Sequence, residues 1–137
     1  MEKHWTLSDQ EFEEQFSTCI LPPSVFSHEA HFRLAWIYIT KYGIEQAIIK
    51  IQMQLKHYVN FLGVKEKYNT TLTIAAIKAV HHFILKSDTD NFKNLIEEFP
   101  RLKFNFKALM SYHYGFDIYN SKKAKSEFLQ PDLAPFN

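Results

Sequence analysis

Between Pro23 and Gly63 a single residue, Gly43, is a helix breaker, and that spacing constrains the fold more than any other feature of the chain. Segments of this length without proline or glycine form long elements, and the apolar period decides which kind. Ile44, Ala47, Ile48, Ile51, Leu55, Tyr58 and Leu62 recur at steps of three and four. A helix is therefore expected from Ile44 to about Leu62, stopped by Gly63. Upstream, Ser27 is the expected N-cap of a helix running to about Tyr42, where Gly43 ends it.

The flanks read the same way. Ser8 and Glu11 have capping-box spacing, and Phe12, Phe16, Cys19 and Ile20 carry a helical period until LPP at 21–23 stops it. After the polar segment VKEKYNT, Asn69 or Thr70 can cap a helix that reaches about Lys86. Shorter helices are expected over about Asn91–Phe99 and Leu102–Tyr112, and a last one follows Ser121 through KKAKSEF. No period-two stretch with turn chemistry stands out. Only 3 Gly and 5 Pro are present, with 46% hydrophobic residues and 16% aromatic, which argues against both disorder and a turn-rich sandwich. The expectation is an all-α, single-domain bundle of six or seven helices over residues 1–137.

Charge and cysteine content narrow the chemistry. Sixteen basic and 15 acidic side chains leave a formal charge of +1, and the KEK at 65–67 and KKAK at 122–125 are too short for a nucleic-acid surface. Cys19 is the only cysteine, which rules out an internal disulfide and thiolate zinc sites of the finger type. MEKHWTLSDQEFEEQF does not read as a secretion signal, and no apolar run approaches the ~18–20 residues of a membrane span. A soluble, cytoplasmic protein without nucleic-acid or membrane partners is expected. The well-charged polar faces show no exposed apolar stripe, which speaks against an obligate partner; the oligomeric state stays open.

The histidines are the chemically interesting residues. In SHEAHFRLAW, His28 and His31 fall with Phe32, Ala35, Tyr38, Ile39 and Tyr42 on one helix face. Glu29 and Arg33 fall elsewhere at i,i+4, the spacing of a surface ion pair. HEAH misses the zincin spacing by one residue, and no Glu-x-x-His of the di-iron kind occurs. On the 70–86 helix, His81 shares the stripe of Ile74, Ile77, Ile84 and Leu85, while His82 is expected to face solvent. His4 and His57 have no partners at suggestive spacing and receive no role. A site would gather His28, His31 and His81 as metal ligands, with Tyr68, Asn69, Tyr112, His113 and Tyr114 lining the same internal pocket. Structural histidines that only cap and fill are the alternative.

SHEAHFRLAWIYI at 27–39, YNTTLT at 68–73 and SKKAKSEFLQPDLAP at 121–135 resemble, in the same order, the pattern THxAHxRLAWxYL, YHxTxT and SPEARxxFxxPDLxPL of a small bacterial all-helical family. The resemblance covers most of the chain and implies no particular reaction. It draws attention to His28, His31, Arg33, Tyr68, Thr71 and Thr73. Asn69 stands where the pattern has histidine, which weakens a metal site at that position and suits a hydrogen-bonding pocket better. The expected function is therefore binding of a small molecule or a divalent metal in a His/Tyr-lined pocket, with acid/base chemistry left open. The competing reading is a non-enzymatic helical interaction module.

Overall fold

The computed structural model describes residues 1–136, and among these all regular structure is helical. Eight α-helices and two 3-10 turns follow in order, and the chain divides into two compact units, Met1–Tyr68 and the part from Asn69 onward. Among the described residues no helix is long and apolar enough to cross a membrane.

The first unit opens with a 3-10 turn over Lys3–Thr6, then α1 (Asp9–Ser17), α2 (His28–Tyr42), α3 (Ile44–Phe61) and a second 3-10 turn over Lys65–Lys67. The capping box at the start of α1 forms as its spacing implies: the Glu11 amide donates to Ser8 Oγ (3.1 Å) and the Ser8 amide to Glu11 Oε1 (2.9 Å). α1 ends earlier than its apolar period. Cys19 takes φ of 63°, and the amides of Ile20 and Leu21 both turn back to the Gln15 carbonyl. Leu21 is thereby buried, and its carbonyl accepts the Tyr58 hydroxyl at 2.8 Å. Phe16, Phe26 and Tyr58 close a cluster with ring centroids 5.2–5.3 Å apart, a spacing that favours tilted and edge-on contacts.

α2 departs most from its reading. Glu29, Ala30, Phe32, Arg33, Leu34, Ala35, Ile37, Tyr38 and Ile39 are all buried, so the helix is enclosed nearly all round. His28 and His31, expected on the core-facing stripe, are exposed instead. α3 keeps its expected stripe, with Ala47, Ile51, Leu55 and Tyr58 buried. Its other side bears on the expectation of no exposed apolar stripe: Ile49, Met53 and Phe61 are 56%, 62% and 66% exposed.

The second unit begins with α4 (Thr70–Lys86), capped by Asn69, whose Oδ1 accepts from the Leu72 amide at 2.9 Å. α5 (Phe92–Glu98), α6 (Arg101–Phe104), α7 (Phe106–His113) and α8 (Lys122–Ser126) follow. The single helix expected over 102–112 is two, broken at Asn105 (φ −133°). The following segment lies down as an irregular strap. Thr71 Oγ1 donates to the Glu127 carbonyl (2.7 Å) and accepts from the Leu129 amide (3.0 Å), and the Leu133 amide donates to the His113 carbonyl (3.0 Å).

Gly43 ends α2 and starts α3 with φ 86° and ψ 161°, and nothing within 4 Å would meet an added Cβ. That backbone region belongs to glycine alone. Gly43→Ala is expected to destabilise by roughly 1–3 kcal/mol through backbone strain only. Urea denaturation measures it, and an unchanged midpoint would contradict the assignment.

Candidate functional site

Polar side chains converge at the first turns of α2, within the first unit. The Lys3–Thr6 turn brings Glu2, His4 and Trp5 to Ser27 and Glu29. Ser27 Oγ accepts from the Ala30 amide at 3.2 Å and donates to Glu2 Oε1. His4 is fully buried, and its Nε2 lies 2.7 Å from Glu29 Oε1, the oxygen that also accepts from Trp5 Nε1 at 3.0 Å. Glu2 Oε1 is 3.7 Å from the same His4 nitrogen.

Arg33 lies one turn further along α2. Its Nη1 donates to the His4 carbonyl at 2.5 Å and lies 3.3 Å from His4 Nδ1; its Nη2 donates to the Leu7 carbonyl (2.8 Å) and to Asp9 Oδ1 (2.9 Å). The guanidinium sits 5.3 Å from the Trp5 ring centroid and 5.2 Å from that of Phe12, close enough for cation–π attraction. Its Nε is buried without a hydrogen-bond partner. Because arginine can only donate, Nδ1 of His4 is an acceptor and the ring proton sits on Nε2, facing Glu29. Burial lowers the His4 affinity for a second proton, opposed by the Glu29 hydrogen bond and charge, which keeps the ring neutral.

This corrects two sequence expectations. Glu29 and Arg33 are not an exposed ion pair: each is 4% exposed, and the N-terminal segment supplies partners to both. His4, given no role, is the centre of the cluster. Glu2, His4 and Glu29 each bring a ligand atom, all within 4.8 Å of one another, and no other group of three or more His, Cys, Asp or Glu does so among the described residues.

The sequence-derived candidates distribute as follows. In the first unit, His31 lays its ring on Phe26 at 3.7 Å, and its Nδ1 donates to the Ser27 carbonyl at 2.8 Å. Part of its surface meets water, yet desolvation on the packed side lowers its pKa. His28 is exposed, stands edge-on to Phe32 at 4.7 Å, and is likewise lowered, with the Glu2 carboxylate opposing. Tyr68 is half-buried, with the Lys56 ammonium 5.2 Å from its ring.

In the second unit, Asn69 is engaged through both ends of its amide: besides capping α4, its Nδ2 donates to the Ile118 carbonyl at 2.8 Å. His81 and His82 are both half-buried, so His82 does not simply face solvent; desolvation lowers both. Tyr112 is exposed. His113 donates from Nδ1 to the Ala134 carbonyl at 2.8 Å and stacks on Phe136 at 4.1 Å. Tyr114 Oη donates to the Leu129 carbonyl at 2.8 Å, and burial pushes its phenol up to about 12. Tyr114 also borders a groove of about 530 Å³ with Lys107, Ser111, Phe116, Tyr119 and Asn120.

The fold and this site define an all-helical protein with a buried histidine–carboxylate cluster at a helix start. Comparison with protein-family models, with curated proteins and with solved structures found no match to this chain.

Arg33→Lys keeps the charge but loses the planar fork that serves two carbonyls and Asp9, and a destabilisation of roughly 2–3 kcal/mol is expected in urea; a loss under ~0.5 kcal/mol would show that the fork is dispensable. His4, His28 and His31 all lie below the ordinary value of 6.5 in the fold. The unfolded chain then binds protons more tightly, so this contribution is complete above 6.5 and is lost as pH falls through the folded values. The urea midpoint should drop from about pH 7.5 to about pH 5, above the carboxylate range, and His31→Gln should reduce that drop. A midpoint that rises on acidification would contradict the shifts.

Proposed function

We propose that this chain is a ligand-binding helical protein whose site is the Glu2–His4–Glu29 cluster, taking a small polar molecule or a divalent metal. The convergence of three ligating side chains within 4.8 Å, two of them buried, carries the reading. Buried polar groups in a water-poor setting discriminate strongly between ligands that satisfy them and ligands that do not. The Nε2 proton of His4, held 2.7 Å from Glu29 Oε1, also gives the site a group for acid/base chemistry on a bound molecule. Glu2 and the neighbouring His28 form its water-facing side. The proposed site is the residue set 2, 4 and 29 in place of His28, His31 and His81.

A second reading follows from α3. Ile49, Met53 and Phe61 present apolar surface to water, as in an interaction module whose histidines are structural.

A thermal-shift panel of divalent cations and small polar metabolites, run on the wild-type chain and on Glu29→Gln, tests the proposal. At a hundredfold excess over its Kd a true ligand adds about 2.7 kcal/mol of stability, so at least one panel member should raise the wild-type Tm clearly and lose most of that effect in the variant. If no member stabilises the wild type, the ligand-binding reading fails and the interaction module gains.

A further inference from the structure

Resting on the reading that this cluster is the ligand site, we infer that its ligand is one transition-type divalent cation, with Zn²⁺ the best fit, held by Glu2, His4 and Glu29 and leaving a fourth position on the water-facing side next to Ser27 and His28. The donor set supports the choice. One imidazole nitrogen with two carboxylates suits zinc, whose open sites use three protein ligands and leave the fourth to water or substrate. Magnesium and calcium prefer oxygen ligands and waters, and a buried imidazole is of little use to them.

The distances come close to the requirement. Bond lengths of 2.0–2.2 Å in a tetrahedron place ligand atoms roughly 3.4 Å apart. His4 Nε2 and Glu2 Oε1 lie 3.7 Å apart. The shorter 2.7 Å separation from Glu29 Oε1 is that of a hydrogen bond, and it must open as the cation takes its place. The single ring proton of His4 leaves Nε2 for solvent and is replaced by one on Nδ1, so the ring stays neutral and ligates through the Nε2 lone pair. Nδ1 thereby changes from acceptor to donor, so cation binding gives up the 3.3 Å contact with Arg33 Nη1, the longest of the guanidinium's polar contacts. Its bonds to the His4 carbonyl, the Leu7 carbonyl and Asp9 remain.

The topology adds a consequence: two ligands come from the N-terminal segment and the third from α2, so the cation fastens that segment to the helix.

The test is isothermal titration of ZnCl₂ into the untagged 137-residue chain, stripped with a chelator and dialysed, at neutral pH. One site per chain is expected. Glu29→Gln and Glu2→Gln should each weaken binding at least tenfold, while His31→Gln, outside the cluster, should change the affinity less than threefold. Glu2 is 29% exposed, so its variant keeps the test decisive even where Glu29→Gln perturbs folding, which circular dichroism reports. Absence of a saturable one-to-one site overturns the inference, as does a Kd that neither glutamate variant moves or that His31→Gln moves as much. Zinc failing while another panel molecule stabilises the chain through Glu29 overturns the cation and leaves the ligand site standing; failure of both removes both.

Discussion

The first unit turns on the burial of one guanidinium. Arg33 sits on an enclosed helix at 4% exposure, and an unpaired charge in that position would cost about 3–5 kcal/mol. The N-terminal segment meets the need with a carboxylate, two carbonyls and two aromatic faces, all from residues 4–12. Docking that segment in turn sets His4 against Glu29 and Glu2 against Ser27. The histidine–carboxylate geometry is therefore secondary to the arginine: it exists because the peptide that solvates Arg33 passes over the start of α2.

Helix starts were legible in the residues because capping is local. Ser8 with Glu11, Ser27, Asn69 and Ser121 all cap the helices that their spacing announces. Two helix ends were not. Cys19 continues the apolar period of α1 while its backbone has already turned to positive φ. Leu102, Phe106 and Met110 are all buried at steps of four across the break at Asn105. Apolar periodicity reports where side chains must go, and a chain that kinks and resumes can satisfy it as well as an unbroken helix.

The cluster was illegible for a different reason. His4 and Glu29 are 25 residues apart, and Arg33 is 29 from His4, so no spacing rule applies to them. HEAH drew attention to the correct turn of α2 and to the wrong side chains in it, since α2 is covered on nearly every face. Once the helix is enclosed, its polar residues divide by what covers them: Glu29 and Arg33 meet the N-terminal segment, and the histidines stay at the surface. In the second unit the flagged residues Asn69, His113 and Tyr114, with Thr71, bond backbone groups, most of them in the strap after α8. An irregular segment has carbonyls and amides that no helix or ladder satisfies, and histidine, tyrosine and threonine answer them with the same atoms that would bind a ligand.

The embedded arginine also bears on synthesis. Residues 2–9 are made before the helix they must solvate, whose Glu29 and Arg33 follow about two dozen residues later. The segment cannot make these bonds until α2 has been made. A chain interrupted before they form would hold Arg33 and Glu29 open to water, with Phe12 and Trp5 away from the guanidinium they flank. Residues made before the helix thus find their place only after it.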